Sequence, residues 1–433
     1  MQVIKLKQFK NSSRFQSVMA RRGKNDNSVL KVVEDIVVDV KNMGDVAVKK
    51  YMKSLNGMCL RNLRVSKEEI NKAQSVVSDD FVIALKQAAN NIRLVHNKQI
   101  SLEAQSLVSP LCGIKVWKKW QPIEIVGVYV PGGLASYPSS VLMSVIPAQI
   151  AGCKKIIITT PPRPDGSVAP EVLVAANYLG VKDIFKISGA QAIAALAYGT
   201  ETIPKVYKIV GPGNAYVATA KMIVSRQGEV AIDSPAGPSE VLIIADKTAN
   251  PEFVAADLMC DSEHAEDSAA VLLSTSLQLA RRVIKIIKNT VDNFSTGNRV
   301  KKSLKSYGLF ATVKTLGEAV DFANDYAPEH IQIMTKRARA IAKKITNAGS
   351  VFIGPYTCKS AGDYATGANH VLPTGGSAKM FSGLSVFDFV RLVEYQQVSK
   401  GGLKKIRRTI QVFARVEKLP VHEFSGAVRF KEK

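Results

Sequence analysis

Two short segments combine acidic and histidine side chains at spacings that suit chemistry. In the first, Asp261 and His264 lie three residues apart in the sequence Asp-Ser-Glu-His. If this segment is helical, both side chains project from one face, which is a suitable geometry for binding a metal ion. A pair at this spacing is more often a surface hydrogen bond, and that alternative stays open.

The second segment is Ala327-Pro-Glu-His330, which precedes a predicted strand. A carboxylate and an imidazole side by side can serve two successive proton transfers. Proline disfavours the α conformation in the residue before it, so we expect Ala327 to be extended. The alternative is an ordinary turn into the strand, with two exposed polar side chains.

Three glycine-rich segments could bind ligands. Gly127–Gly133 and Gly211–Asn214 each follow a strand-like run and lead to a predicted helix, whose first backbone amides favour an anion. Neither has the G-x-G-x-x-G fingerprint, but both lie at carboxyl ends of strands, where open α/β sheets bind ligands. Gly362–Gly376 is a long irregular stretch of the kind that is often functional. The alternatives are ordinary tight turns for the first two segments and a flexible connection for the third.

The elements that must position these residues alternate in type along the chain. Strand-like and helix-like runs alternate over Ile125–Tyr198 and again over Val241–Thr346. This pattern predicts parallel sheets, and hence an α/β fold of two doubly wound, incomplete Rossmann-like units with small N- and C-terminal extensions. The first 120 residues are predicted to be mostly helical, with a helix cap at Ser66–Glu69. The tail after Ser382 carries a predicted helix over Val386–Val398 and is too small for a core of its own.

Composition indicates a globular protein of a reducing compartment. The 433 residues are 46% hydrophobic and carry a net charge of +23, but the basic residues are scattered, which favours a solvated surface over a nucleic-acid site. Five cysteines without a CxxC pair indicate free thiols. The N-terminus lacks an apolar signal segment, and Lys154 and Lys155 interrupt the most apolar stretch. We therefore expect a cytoplasmic protein without a membrane segment.

Taken together, the motifs resemble those of histidinol dehydrogenases, and they occur in the same order. The resemblance runs from about Gln121 to Arg429. The motifs that carry it are Val126-Gly-Val-Tyr-Val-Pro-Gly-Gly133, Gly189-Ala-Gln-Ala-Ile-Ala-Ala-Leu-Ala197, Gly211-Pro-Gly-Asn214, Pro235-Ala-Gly-Pro-Ser-Glu240, Ala327-Pro-Glu-His330 and Gly362-Asp-Tyr364 to Thr374.

The resemblance implies an activity, its cofactors and a set of site residues. The family oxidises L-histidinol through L-histidinaldehyde to L-histidine, in the last two steps of histidine biosynthesis, with two NAD molecules and one zinc ion per subunit. It forms a homodimer in which the C-terminal tail completes the partner's site, so His422 would act in the other subunit. The implied residues are the catalytic pair Glu329 and His330; the zinc ligands Asp261, His264, Asp363 and His422; the NAD contacts Tyr129, Gln191 and Asn214; and the substrate contacts Ser239, His370 and Glu417, together with the zinc ligands and His330.

Two positions depart from the family pattern. The fourth zinc ligand is usually glutamine and is Asp261 here, and the loop before Gly362 usually carries a glutamate where this chain has Lys359. Aspartate is a competent zinc ligand, although a second anionic ligand would make the metal a poorer Lewis acid. Lys359 would offset that charge if it is close, which is a hypothesis about the folded protein.

The implied domains are four. They are an N-terminal extension (1–24), a discontinuous α/β domain with the acid/base and metal residues (25–120 and 236–381), an NAD-binding Rossmann-like domain (121–235) and a C-terminal tail domain that reaches the partner subunit (382–433).

Three other functions remain open at this point. A diverged member of the same family could oxidise another polar alcohol with zinc and NAD. A thiohemiacetal route could use Cys260 or Cys358, although buried, inert thiols are the commoner case. A catalytically silent protein could bind anions or nucleic acid through the +23 charge, but the joint presence of Glu329, His330, Asp363 and His422 weighs against it.

Overall fold

The computed structural model describes residues 1–9, 15, 18–19, 27–99, 108–132, 135–235 and 237–430. Gly133 and Ala236, which belong to two of the motifs above, lie outside the described residues. The strands are β1 (Val3–Lys5), β2 (Ile114–Pro122), β3 (Ile125–Tyr129), β4 (Lys155–Thr160), β5 (Asp183–Lys186), β6 (Lys208–Val210), β7 (Ala231–Ile232), β8 (Glu240–Ala245), β9 (Ala269–Ser274), β10 (Leu309–Thr312), β11 (His330–Met334), β12 (Ser350–Ile353) and β13 (Val390–Val398).

Helices surround these strands. They are α1 (Leu6–Phe9), α2 (Asn27–Met43), α3 (Asp45–Asn56), α4 (Lys67–Val76), α5 (Asp79–His96), α6 (Pro138–Ala151), α7 (Pro170–Tyr178), α8 (Gly189–Tyr198), α9 (Ala215–Arg226), α10 (Pro251–Ser262), α11 (Leu277–Thr290), α12 (Gly297–Tyr307), α13 (Leu316–Tyr326), α14 (Ala338–Ala342), α15 (Lys359–Tyr364), α16 (Lys400–Val416) and α17 (Pro420–Ala427). Within the described ranges, no helix is long and apolar enough to cross a membrane. The predicted cap at Ser66–Glu69 is present as a reciprocal capping box that opens α4.

The chain divides into two compact units. The first comprises Met1–Gln99 and Ile123–Phe389, and the second comprises Ile100–Pro122 and Val390–Lys433. The first unit holds both large sheets. The predicted division into four domains is not the same partition and stays a prediction.

Two parallel sheets form the first unit. One has the order β5-β4-β3-β6-β7, and the other has the order β1-β10-β9-β8-β11-β12. The chain leaves β3 in one direction toward β5 and returns on the other side as β6, so the strand order reverses between β3 and β6. The same reversal occurs between β8 and β11 in the six-stranded sheet. Helices cover both sheets, which confirms the predicted α/β fold of two doubly wound units.

The N-terminal segment is part of the second of these sheets. Strand β1 pairs in parallel with β10, so residues 3–5 extend the sheet by one strand. Leu6 of α1 and Val18 pack in the core beneath this sheet. At least this part of the predicted N-terminal extension therefore belongs to the α/β core.

The second unit corrects one prediction. The helix predicted over Val386–Val398 is wrong, because Val386–Phe389 forms one 3-10 turn and Val390–Val398 forms strand β13. Strand β13 pairs antiparallel with β2 along its full length, for example at Tyr395 with Trp117. These two rings stack at 5.5 Å between centroids. Helices α16 and α17 complete the described part of this unit.

Candidate active site

The predicted acid/base pair stands at the start of β11. Helix α13 ends in Ala327, which has a left-handed backbone (φ 46°) and donates its N–H to Ala323 O at 2.7 Å. The prediction that Ala327 is extended is therefore wrong, because the helix terminates in a left-handed cap. The chain then passes through Pro328 to Glu329 and His330, which are 7% and 3% exposed. The alternative of two exposed polar side chains at this turn is excluded.

Glu329 and His330 lie where the strand order reverses in the six-stranded sheet. His330 pairs with Val241 of β8, and both residues stand near the amino-terminal ends of their strands. The Glu240 N–H donates to Glu329 Oε2 at 3.0 Å and fixes that carboxylate. The pair thus occupies the amino edge of this sheet.

The imidazole of His330 is buried and has no hydrogen-bond partner for either ring nitrogen among the described residues. Its Nδ1 lies 3.6 Å from Glu329 Oε2 and 3.9 Å from Asp261 Oδ1, and its Nε2 lies 3.9 Å from Asp363 Oδ1. Burial by itself would lower the pKa of His330, but the Glu329 carboxylate outweighs burial and raises that pKa. A buried imidazole with unused nitrogens is suited to exchange a proton with a bound substrate.

The predicted metal ligands of the first unit meet at a lysine. Lys359 Nζ lies 3.1 Å from Asp261 Oδ1, 2.8 Å from Asp363 Oδ2 and 2.9 Å from His264 Nε2. Asp261 is in the last turn of α10, whereas His264 follows that helix, which ends at Ser262. The expectation that both residues lie on one helix face is therefore wrong for His264, which lies beyond the helix end. Both side chains nevertheless contact Lys359 Nζ.

The lysine sets the electrostatics of this cluster. Burial would raise the pKa of Asp261, but the Lys359 ammonium outweighs burial and holds it below its usual range. Burial and then the same ammonium lower the pKa of His264, so its ring stays neutral near pH 7. Burial would lower the pKa of Lys359, but Asp261 and Asp363 outweigh it and raise that pKa. The hypothesis that Lys359 is close enough to offset the Asp261 charge agrees with this geometry.

The remaining predicted substrate contacts of the first unit lie around the cluster. His370 Nδ1 is 2.9 Å from the Asp363 carbonyl oxygen, and its Nε2 is 3.4 Å from Ser140 Oγ. Ser140 belongs to the first turn of α6, which follows the carboxyl end of β3. Ser239 immediately precedes β8 and is half-buried. His370 therefore connects the amino edge of one sheet to the carboxyl edge of the other.

The predicted NAD contacts follow the carboxyl ends of three strands of the five-stranded sheet. Tyr129 ends β3, and its hydroxyl accepts a hydrogen bond from the Gly189 N–H at 3.3 Å. Gln191, in the first turn of α8 after β5, is buried and its Oε1 has no partner within the part of the chain that the structure describes. Asn214 after β6 caps α9 by accepting from the Val217 N–H at 3.1 Å.

The loop after β6 approaches β3 closely. Gly211 has φ +115°, and a Cβ there would lie 2.1 Å from the Tyr129 carbonyl oxygen. Its N–H donates to Asp233 Oδ2 at 2.8 Å, and Lys221 bonds both to Asp233 and to the Gly211 carbonyl. Only glycine fits here, so the loop is fixed at the reversal point between β3 and β6, where such sheets bind dinucleotides.

Glu417 and His422 belong to the second unit. Glu417 directly follows α16 and His422 lies in α17, and both are exposed. Their predicted contacts with substrate and metal stay predictions.

Two acidic residues beside the candidate site were not predicted as site residues from the sequence. Asp257 accepts the Lys359 N–H at 3.2 Å, and Glu240 accepts both the Tyr326 hydroxyl at 2.8 Å and the Gly375 N–H at 3.0 Å. The four-residue spacing of Lys359 and Asp363 in α15 is a local pattern that could have indicated their ion pair.

The donor set of Asp261, His264 and Asp363 does not fit zinc in this arrangement. Zinc bonds to nitrogen and oxygen are about 2.0–2.2 Å long, so a zinc ion on these three atoms would stand next to the Lys359 ammonium. Ligand atoms of Asp261, Glu329 and His330 also lie within 4.8 Å of one another, which makes them a second group that could hold a cation.

Comparisons with known proteins agree with this geometry. A family model described as Histidinol dehydrogenase matches residues 19–430. The chain is 44% identical to a histidinol dehydrogenase of Clostridium acetobutylicum over 96% of each chain, and 43% identical to one of Methanothermobacter thermautotrophicus over 97% of each. A crystal structure of histidinol dehydrogenase from Elizabethkingia anophelis superimposes with a TM-score of 0.87 at 41% identity, covering 92% of this chain and 91% of that one.

These matches confirm the predicted family and support histidinol dehydrogenase over the alternative of a diverged enzyme for another polar alcohol. The chain belongs to the histidinol dehydrogenase family of NAD-linked oxidoreductases.

Proposed function

We propose that this chain oxidises L-histidinol through L-histidinaldehyde to L-histidine and reduces two NAD⁺, with His330 as the base of the first step. The observation that carries the proposal is the buried His330 ring, whose nitrogens have no hydrogen-bond partner among the described residues and which lies beside Glu329. In the first step a hydride passes from the alcohol carbon to NAD⁺ while the hydroxyl proton passes to His330.

The second step needs a base for water. The aldehyde must add water before a second hydride can leave, and Glu329 is proposed to take the proton of that water. Its carboxylate is held by the Glu240 N–H at 3.0 Å, which orients it next to His330. The second hydride then leaves the hydrated aldehyde for another NAD⁺, and the product is the carboxylate.

Lys359 brings a buried positive charge close to His330. A proton transfer from an alcohol of pKa about 15.7 to an imidazole near 6.5 is uphill by roughly 12 kcal/mol, so positive charge near the oxygen would assist it. The zinc ion that the sequence analysis predicts does not fit while Lys359 occupies the point where Asp261, His264 and Asp363 meet. No step of the mechanism is therefore assigned to a metal.

The other site residues are proposed from position. Tyr129, Gln191 and Asn214 are proposed to contact NAD, because they follow the carboxyl ends of β3, β5 and β6. Ser239 and His370 are proposed to contact the substrate, because they border the acid/base pair and the cluster.

The remaining proposals concern assembly and location. A homodimer in which Glu417 and His422 of one copy complete the site of the other would account for two functional side chains in the exposed tail. We propose a cytoplasmic enzyme that needs neither nucleic acid nor membrane.

Separating the two hydride transfers tests the division of labour. His330→Ala should slow NADH formation from histidinol by roughly 10²–10⁴-fold, the usual contribution of a general base. Glu329→Ala should spare that step relative to NADH formation from histidinaldehyde. Equal losses in both half-reactions for both variants would contradict the assignment.

A further inference from the structure

Lys359 contacts three of the residues that are predicted to bind metal, and no other lysine in the described part of the chain does so. Its ammonium lies 2.8–3.1 Å from Asp363, His264 and Asp261. The side chain is 4% exposed, so water does not compete for these contacts. Two carboxylates and an imidazole surround one ammonium, and these are the side-chain types that also bind metal ions.

The position of Lys359 is fixed by its helix. The residue opens α15, its backbone N–H donates to Asp257 Oδ1 at 3.2 Å, and Asp363 one turn later faces the same ammonium. Asp261 lies in the last turn of α10, where the unpaired helix carbonyls also favour a cation. Moving the ammonium out would leave the buried Asp261 and Asp363 carboxylates without their counter-ion, which is strongly unfavourable.

A metal ion and the ammonium exclude each other at this point. Zinc bound to the same three atoms would lie beside Nζ, and both are positive in a site that excludes water. We propose that the Lys359 ammonium is the resident cation of this site, and that the protein does not bind zinc through Asp261, His264 and Asp363. This concerns the cation only, so it stands or falls independently of the substrate proposed above.

Zinc content of the full-length protein is the direct test. Wild-type protein is dialysed against zinc, then against buffer, and its metal is measured by inductively coupled plasma mass spectrometry. We expect well below about 0.1 zinc per subunit, against the one ion of an ordinary zinc site. Retention of about one zinc per subunit by the wild-type protein would overturn the proposal.

Substitutions of Lys359 test whether its ammonium excludes the metal ion. Lys359→Glu adds a carboxylate and Lys359→Met removes the charge, so both should gain about one zinc per subunit and bind it roughly 100-fold more tightly than wild type in competition with a chromophoric chelator. The matched control is Lys186→Met, which removes another buried lysine, paired with Glu69 at 3.0 Å, and should gain no zinc. Folded Lys359 variants that remain zinc-free would refute the exclusion.

A measurement on the wild-type protein keeps the test decisive even if the variants fold poorly. Its melting temperature should be the same after treatment with EDTA and after addition of zinc, because a ligand that does not bind the native state cannot stabilise it. A rise of several degrees with zinc, reversed by EDTA, would show a native metal site and sink the proposal.

Discussion

Replacing Glu329 by glutamine should lower the pKa of His330 and shift the pH profile of the first hydride transfer. Glu329 Oε2 lies 3.6 Å from His330 Nδ1 and is the main group that raises the pKa of the imidazole. Glutamine has nearly the same shape, and its carbonyl oxygen can still accept the Glu240 N–H bond. The substitution therefore removes a charge and leaves the packing in place.

The size of the shift follows from the distances. An opposite charge within about 4–6 Å moves a pKa by roughly 1–3 units. Asp261 and Asp363, each 3.9 Å from a ring nitrogen of His330, keep part of the effect in the variant. We expect the pKa of His330 to fall by roughly one to two units, or about 1.4–2.7 kcal/mol.

The direction in which the pH profile shifts depends on the proposed role of His330 as the base. His330 accepts a proton only when it is neutral, so its raised pKa places the acid limb of the wild-type profile above the ordinary value of 6.5. In Glu329→Gln the limb should lie at lower pH. The variant should therefore hold its maximal first-step rate to lower pH than the wild type does, whatever the height of that maximum.

Stopped-flow absorbance of the first NADH formed from saturating histidinol, recorded from pH 5 to pH 9, measures this limb. Asp257→Asn is the matched control, because it neutralises a buried carboxylate that bonds Lys359 N–H and is not among the groups that shift His330. Its limb should coincide with that of the wild type. A limb in Glu329→Gln that stays in place or moves to higher pH would refute the reasoning.

Three further predictions concern the NAD edge and the thiols. Gly211→Ala should weaken NAD binding and cost about 1–3 kcal/mol of stability, since its Cβ would lie 2.1 Å from the Tyr129 carbonyl oxygen; NAD titration and thermal melting check this, and wild-type affinity would contradict it. Lys221→Met should cost about 3–5 kcal/mol in urea unfolding because it leaves Asp233 buried without its counter-ion, and a loss below about 1 kcal/mol would be too small. Cys260→Ala should leave turnover unchanged, because burial raises the pKa of this thiol to about 12 and keeps it protonated, whereas a large loss would revive the thiohemiacetal route.

The sheets could be predicted from the sequence because their strands are buried on both faces. All six residues of β8 and all six of β9 are buried. Apart from Glu240 at the start of β8 and Ser274 at the end of β9, each strand is a continuous apolar run, and such a run is recognised without alternation of apolar and polar residues. Turn residues at the strand ends, such as Gly211, indicated where the proposed NAD-binding edge begins. Both the apolar strands and the turn residues are local features, so they can be predicted from short stretches of sequence.

The failures occurred where distant parts of the chain decide the structure. Val386–Val398 has apolar residues at helical spacing, but Val390–Val398 pairs with Ile114–Pro122, which is far away in sequence. Ala327 precedes a proline, which disfavours the right-handed helical conformation and so suggested an extended backbone. In the structure Ala327 instead ends helix α13 in a left-handed conformation. Only the partner strand or the helix end resolves these ambiguities.

The same limit explains why the cluster was incompletely predicted. Lys359 and Asp363 share one helix, but Asp261 and His264 are about a hundred residues earlier, and no spacing rule connects the two pairs. A likeness to relatives singled out Asp261 and Lys359 as unusual positions. That their side chains meet is a property of the fold alone.

The candidate active site also departs from the general rule for open α/β sheets, which places ligands at the carboxyl ends of strands. The five-stranded sheet follows the rule, since Tyr129 and Gly211 stand at its carboxyl edge. In the six-stranded sheet, His330 stands at the amino edge, and α10 brings Asp261 back to that edge from β8. On this side, the Asp261 carboxylate therefore comes from a helix end, whereas Glu329 and His330 come from the amino end of a strand. Because the Lys359 ammonium joins α10 to α15 through Asp261 and Asp363, the cation that it provides also sets the spacing of these two helices beside His330.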